Sequence, residues 1–525
     1  MQGATRQLET ETPDEGVEIV LVAINAKYIH ASLGLRYLFA NLGDLQSRAR
    51  IVETTIKAAA ADIAKSILSF GPRIVGIGVY IWNVLEVERV VKELKQRSPD
   101  LVVVLGGPEI SYEWQGTPLF GLADYIITGE ADQAFARFCS DGLEGQWPKN
   151  KAIHASAPPL DALVPPYSLY QEEDLRHRVL YVEASRGCPF TCEFCLSSLD
   201  SAVRRFNLEA LLKEFDSLLD RGALVFKFVD RTFNLHTGTG VAILRFFLER
   251  SRPGMFLHFE MVPDRLPVAL REWIAQFPLG ALQFEVGLQT LNEEVGERIR
   301  RRQDLTKVAE NFRFLREETG VYIHADLILG LPGESLESFA SGFDRLFAMR
   351  PHEIQLGVLK RLKGTPIVRH EEDFEMVFES APPYEIRAHR DLSAQEIAGG
   401  KRMARYWDRL VNSGRFHSTV PWVWRDRPSA FWAFWEFSQW LFLRFQRDHA
   451  IPWEEYGRAL YDYIGGARPK ARSEIATDLW ADLRAGGFAH PPKYLEGLEG
   501  QRSEPEGDNR SVSSGKRQER SLRRG

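Results

Sequence analysis

The sequence predicts an α/β chain in three parts: an open, doubly wound parallel sheet, then a partial (β/α)6 barrel, then a mostly helical carboxyl-terminal domain. Three observations carry this expectation. Over residues 14–145, short β-branched runs alternate with amphipathic stretches. Over residues 175–370 a second series of six strand-like runs follows, each separated from the next by a helix-compatible segment. Beyond Pro366 the pattern turns helical and rich in tryptophan. A chain of 525 residues exceeds what one hydrophobic core usually serves, so several domains are expected on length alone.

Taken in order, the runs VEIVLVAI, LGLRYLFANL, ARIVETTI, ADIAKSILSF, IVGIGVYIW, VLEVERVVKELKQR, LVVVLGG and DYIITGE have the rhythm of parallel strands joined by crossover helices. Open sheets of this kind bind ligands beyond the carboxyl ends of their strands, which directs attention to the loops 25–34, 80–83, 106–109 and 129–132. Gly106, Gly107 and Gly129 suit close approach of the backbone to a bulky ligand, and they serve equally well as turn residues. Residues 146–174, with Pro158, Pro159, Pro165 and Pro166, lack periodicity and read as a linker. The barrel runs are VLYVEAS, LVFKFVD, FLHFEMV, LQFEVGLQ, YIHADLILG and EIQLGVL, and Arg186, Asp230, Glu260, Glu285 and Gln289 stand at or near their carboxyl ends, where barrels of this type carry chemistry. Over 371–498 the stretches ARYWDRLVNSGRF and FWAFWEFSQWLFLRF place aromatics at helical spacing, which is expected to form core. Residues 499–525 are polar and charged, with a basic end, and are expected to be disordered.

Composition narrows the classes. The chain is 44% hydrophobic and 26% charged, and none of its apolar runs approaches the roughly 18–20 residues that cross a bilayer. Its first 16 residues resemble neither a secretory signal nor a transit peptide, so the expected compartment is the cytoplasm, with no membrane partner. A net charge of −6 gives no overall attraction to nucleic acid. Four cysteines, three of them within eight residues, suggest a metal site and not a disulfide framework.

That site reads RGCPFTCEFCLSS, with Cys188, Cys192 and Cys195 directly after a predicted strand. Three thiolates on one loop at a barrel mouth suit an iron–sulfur cluster, and a four-iron cluster would keep one iron open to a small molecule. The competing reading is structural zinc. It needs a fourth ligand, for which His177 and Cys139 are the candidates, and neither has a recognisable spacing to the motif. Cys139 lies in a predicted helix and reads as a small buried hydrophobe.

The CxxxCxxC spacing after the first strand of a partial barrel resembles the radical S-adenosylmethionine (SAM) superfamily. That resemblance implies a TIM-type barrel and a [4Fe–4S] cluster whose open iron chelates SAM; one electron then releases methionine and a 5′-deoxyadenosyl radical. Phe194 stands where the family has an aromatic against the adenine. The segment KFVDRTFN, with Asp230, resembles the strand-two region at the cofactor's amino end. FEVGLQTLNEEV, with Glu285 and Gln289, resembles the strand-four signature facing the ribose or substrate. ADLILGLPGE, with Gly330 and Gly333, resembles the strand-five glycine motif beside the adenine, and LKGTP closes strand six. For Asp230 and Glu285 the competing reading is structural pairing within the barrel.

The first domain resembles the Rossmann-like cobalamin-binding fold of cobalamin-dependent radical enzymes, on LGGPE and IITGEAD. The loops above then make Asn25, Tyr80, Gly106, Gly107, Gly129 and Glu130 the expected cobalamin contacts. NAKYIHASLG departs from the Asp-x-His-x-x-Gly pattern that supplies a histidine to cobalt, so His30 is not the expected ligand and the lower face of cobalt is undefined. The three-cysteine amino-terminal domain of methylthiotransferases is not found, which points away from tRNA thiolation. The carboxyl-terminal part resembles an accessory domain of undefined function. Together the resemblances imply SAM, cobalamin and a [4Fe–4S] cluster as cofactors, a small-molecule or peptide substrate, and a reducing partner such as a flavodoxin or ferredoxin. The leading expectation is methylation of an unactivated carbon. A cobalamin-assisted rearrangement or oxidation, and a non-catalytic iron–sulfur sensor, are the alternatives. No catalytic residue is assigned.

Overall fold

The computed structural model describes residues 16–497 and the two-residue strand Arg6–Gln7. The tail expected to be disordered lies outside the described residues. The chain divides into two compact units: Met1–Arg231 with Arg361–Pro366 and Glu379–Tyr384, and Thr232–Lys360 with Ile367–Phe378 and Glu385–Gly525.

In the first unit, β1 (Ile19–Asn25), β2 (Ala49–Thr55), β3 (Ile74–Gly78), β4 (Val102–Gly106), β5 (Tyr125–Thr128) and β6 (Ala152–His154) are all parallel, in the order β2-β1-β3-β4-β5-β6. Successive residues of β1 fall in two different cores: Val20, Val22 and Ile24 pack with Ile63, Ile67, Val87 and Val91, whereas Ile19, Leu21 and Ala23 pack with Leu35, Phe39, Phe135 and Phe138. Burial on both faces is why β1 reads as a continuous apolar run. The chain leaves β1 toward β2 on one side and returns to β3 on the other, so the strand order reverses at β1.

The same unit contains β7 (Leu180–Val182) and β8 (Val225–Phe228), which pair in parallel with Lys227 opposite Tyr181. The stretch leading into β7 is held by four buried charges. Arg36 pairs with Glu53 at 2.9 Å and Asp174 at 3.1 Å, and Arg178 pairs with the same two carboxylates at 2.8 and 3.1 Å. Burial opposes ionisation of Glu53, but the charges of Arg36 and Arg178 outweigh it and hold its carboxyl at about 2.

The second unit contains β9 (Phe256–Met261), β10 (Leu282–Gln289), β11 (Tyr322–Leu329) and β12 (Glu353–Val358), paired in parallel in chain order. Of the six parallel strands that follow the linker, β7 and β8 pair within the first unit and β9 to β12 within the second. Along β9–β11 alternate residues such as Leu257, Phe259, Phe284, Val286, Ile323 and Ala325 are buried apolar, while the register sets Glu260, Glu285, His324 and Glu353 in one row across the strands. The helices Ala394–Trp407 and Ala430–Phe445 follow. Trp407 packs edge-on against Phe343 and Phe434 at 4.9 and 5.0 Å, so the aromatic stripe is core, as its spacing predicts. The side chain of Asn412 accepts from Ile354 N at 3.2 Å and donates to Ile354 O at 2.9 Å, which satisfies backbone groups of β12. Among the described residues no helix is long and apolar enough to cross a membrane.

Candidate functional site

The cysteine loop is an excursion closed at its base by a short antiparallel ladder that pairs Arg186 with Arg204 and Ser185 with Arg205. Gly187 begins the excursion at φ +89°, and a Cβ there would collide with Ala202 O. Cys188 N donates to Asp200 O at 2.9 Å, and Cys195 N donates back to Cys192 O at 3.1 Å in a tight turn. Cys188 and Cys192 are buried and Cys195 is half-buried, and none of the three is in a disulfide. Among the described residues no three His, Cys, Asp or Glu side chains converge on a single-ion point. A cubane makes no such demand, because its three thiolates bind three different irons. Cys139 lies in the core of the helix Asp132–Leu143, where burial pushes its thiol up, and His177 is exposed.

The stem of this loop is gripped by carboxylates. Arg186 pairs with Glu183 and Glu130 at 2.9 Å and with Asp132 at 3.0 Å, and its guanidinium lies 4.7 Å from the centre of the Tyr37 ring. Arg204 also binds Glu130. Burial opposes ionisation of Glu130, but the Arg204 hydrogen bond and the Arg186 charge hold its carboxyl below the usual range. Burial raises Glu183, an effect that Arg186 only partly offsets.

A cavity of about 380 Å³ lies over the ends of β3, β4 and β5 and is bounded by this stem. Its walls include Tyr80, Gly106, Gly107, Gly129 and Glu130 from the strand-end loops, and Ser185, Arg186 and Gly187 from the residues just before Cys188. Gly34, Gly76 and Gly78 bring the glycines of the lining to seven, and Leu35, Leu38, Val104 and Phe135 make its inner end apolar. Glycine backbone and apolar side chains on one part of the wall, with charged side chains on the rest, fit a flat, bulky ligand such as a corrin with its polar amide side chains. Tyr80 stacks on Trp82 with centroids 4.4 Å apart. Asn25 is not among the lining residues; its amide donates to His30 O at 2.9 Å. His30 Nδ1 lies 2.7 Å from the Tyr181 hydroxyl.

Asp230, at the end of β8, accepts from Ala184 N at 2.9 Å and from Ser185 Oγ at 2.6 Å, and burial pushes its carboxyl up to about 7 against those two bonds. Phe194 is half-buried beside Cys195. In the second unit Glu285 lies 2.9 Å from His258 Nε2, Glu260 is half-buried, and Gln289 adopts φ +70° at an irregularity in the β10–β11 ladder. Gly330 and Gly333 follow β11 at φ +93° and +77°. Sequence reasoning passed over Glu183, Asp132 and Arg204. A charge on a loop carries no local signal of its distant partner, and the one available hint was the pair of acids in GEAD.

Residues 19–138 match the family profile of the B12 binding domain, 182–346 that of the radical SAM superfamily, and 372–478 that of a protein of unknown function (DUF4080). The chain is similar to the 2-(S-pantetheinyl)-carbapenam-3-carboxylate methyltransferase of Streptantibioticus cattleyicolor, 24% identical over 54% of this chain and 46% of that protein. It is also similar to the cobalamin-dependent radical SAM methyltransferase TokK of Streptomyces tokunonensis, 25% identical over 55% of this chain and 47% of that protein. The chain thus spans about half the length of these curated relatives. Among solved structures, the radical SAM methyltransferase TsrM from Kitasatospora setae, with cobalamin and a [4Fe–4S] cluster bound, has the same fold at a TM-score of 0.55 and 17% identity, over 69% of this chain and 76% of that one. The matched domains assign the cofactors: cobalamin, SAM and a [4Fe–4S] cluster. The chain therefore carries, in order, a B12-binding domain, a radical SAM domain and a DUF4080 region.

Proposed function

We propose that the protein is a cobalamin-dependent radical SAM methyltransferase acting on an unactivated carbon. When bound, the cofactors supply reductive cleavage of SAM and a transferable methyl group. Cys188, Cys192 and Cys195 hold the cluster. Phe194, Asp230, Glu285, Gln289, Gly330 and Gly333 contact SAM, and Tyr80, Gly106, Gly107, Gly129 and Glu130 surround cobalamin, with Asn25 outside the cavity wall. Asp230, raised to about 7, is protonated in part of the population near neutral pH and can then donate as well as accept a hydrogen bond. Arg186 bridges three carboxylates at the base of the cysteine loop, which holds that loop in one position. A low-potential carrier such as a flavodoxin or ferredoxin supplies the electron.

One observation carries the reading: Ser185, Arg186 and Gly187, which lead directly into Cys188, line the same glycine-rich cavity as the strand-end loops of the B12-binding domain. Methyl transfer through cobalamin needs the two centres to be neighbours. The test is anaerobic protein from cells supplied with hydroxocobalamin, assayed for iron, cobalamin and SAM products under reductant. About four irons and one cobalamin per chain, with both S-adenosylhomocysteine and 5′-deoxyadenosine formed, support the reading. Iron with 5′-deoxyadenosine but neither cobalamin nor S-adenosylhomocysteine would replace methyl transfer by another hydrogen-abstraction reaction.

A further inference from the structure

The loop that ends β11 has little shape of its own. It reads Gly330-Leu331-Pro332-Gly333, and both glycines are left-handed, so the unfolded loop has many conformations to lose. Its shape is imposed by side chains from elsewhere in the chain. A Cβ at Gly330 would stand 2.5 Å from Ile386 Cγ2 and 3.3 Å from Ile397 Cδ1; one at Gly333 would stand 2.5 Å from Arg298 Nη1 and 2.8 Å from Phe374 Cε1. Three of these four neighbours belong to the region of unknown function.

Each neighbour is itself fixed. Arg298 lies over the Phe374 ring at 4.8 Å and donates to Pro332 O at 2.7 Å, so the ring aims the guanidinium at the loop's own carbonyl. Arg390 also lies over that ring, at 4.9 Å, and its backbone N donates to Phe374 O at 2.8 Å. Ile386 is set by the bond from its N to Leu359 O at 2.9 Å, and Leu359 N in turn donates to Leu329 O at 2.9 Å. The contact is reciprocal: on the helix Ala394–Trp407, a Cβ at Gly400 would collide with Leu329 Cδ2.

We infer that the DUF4080 region is a positioning element for SAM: Phe374, Ile386 and Ile397 form the bed that holds the 330–333 loop in its binding shape. This rests on the proposed role of Gly330 and Gly333 as SAM contacts. Without the bed, SAM would have to order the loop as it binds, and that cost appears as weaker binding. The region therefore works as part of the barrel's site and not as a separate module.

Phe374 is half-buried, so its truncation should leave the fold standing. The test uses the full-length protein with its cluster reconstituted. SAM itself is the probe, titrated against the electron paramagnetic resonance signal of the reduced cluster, and amide exchange of the peptide around 327–336 is followed without SAM. Phe374→Ala should require about tenfold more SAM and should speed exchange in that peptide while distant peptides are unchanged. Phe374→Tyr, which keeps the ring, should restore both. Phe374→Ala with wild-type SAM binding, or with exchange raised equally everywhere, would overturn the inference while SAM perturbs the wild-type cluster normally. A wild-type protein with a full cluster that SAM does not perturb would instead overturn the SAM reading, and this inference with it.

Discussion

Replacing Arg186 by methionine tests whether the charge at the foot of the cysteine loop is structural. The methionine keeps an apolar stem over Tyr37 but leaves Glu183, Asp132 and Glu130 without the guanidinium that now lies 2.9 to 3.0 Å from each. Glu130 retains Arg204; Glu183 and Asp132, whose side chains are 7% and 8% exposed, lose this neutralising cation. Stranding a buried charge in this way typically costs about 3–5 kcal/mol. In a unit of this size each kcal/mol moves the melting temperature by roughly 2–4 °C, so Tm should fall by about 10 °C. The sign with pH follows from Glu183, whose carboxyl burial already raises. Without Arg186 its folded-state pKa rises further above the unfolded value, so the folded variant holds its proton longer and loses stability as pH increases. The gap from wild type should therefore widen between pH 5.5 and pH 8. Calorimetry of both chains at the two pH values, with iron content on the same samples, measures it. A Tm within about 2 °C of wild type at pH 8, or a gap that narrows with rising pH, would refute the reasoning.

Cys188→Ala, Cys192→Ala and Cys195→Ala should each lose the cluster's visible absorbance and all 5′-deoxyadenosine formation, whereas Cys139→Ala should keep wild-type iron; an active cluster in any of the first three would remove the assignment. Glu53 is held at about 2 in the folded chain, so its stabilisation is complete above its ordinary pKa and disappears as pH falls toward 2. Glu53→Gln should accordingly cost about 3 kcal/mol near neutral pH and almost nothing at pH 2, as read from denaturant midpoints across that range. Asp230 behaves in the opposite sense: raised to about 7, it makes wild type lose stability as pH climbs from about 4 to 7. Asp230→Asn should become the more stable protein above that window, by an amount on the order of 4 kcal/mol in chain without cofactors, and parallel pH profiles for the two proteins would contradict this.

How much of the fold could be read in advance depended on how burial is distributed along each strand. β1 is buried on both faces, and β10 and β11 alternate over most of their length, so both series have a period that survives in the letters. β6 spans three residues, Ala152–His154, too few to express a period, and the chain there reads only as polar and proline-bounded. The assignment of 361–366 and 379–384 to the first unit was equally invisible. It rests on Lys363 with Glu109 at 2.8 Å, the Tyr384 hydroxyl with Glu109 at 2.6 Å and Arg361 with Glu113 at 2.8 Å, across some 250 residues of chain.

The site divides along the same physical line. The three cysteines share one short loop, so their spacing alone carries the argument. Arg186 and Glu130 stand 56 residues apart, and nothing near either shows that they meet. This separation changes how Glu130 should be interpreted. Its place in a strand-end loop makes it an expected cobalamin contact, and it does line the cavity, yet its oxygens accept from Arg186 and Arg204 on the two stems of the cysteine loop. A carboxylate with that pairing has little left to offer an uncharged corrin amide. Loss of cobalamin in a Glu130 variant would therefore arise through movement of the loop stem, and iron would be lost along with it. A direct contact such as Gly106 predicts the other pattern, in which cobalamin falls and iron stays.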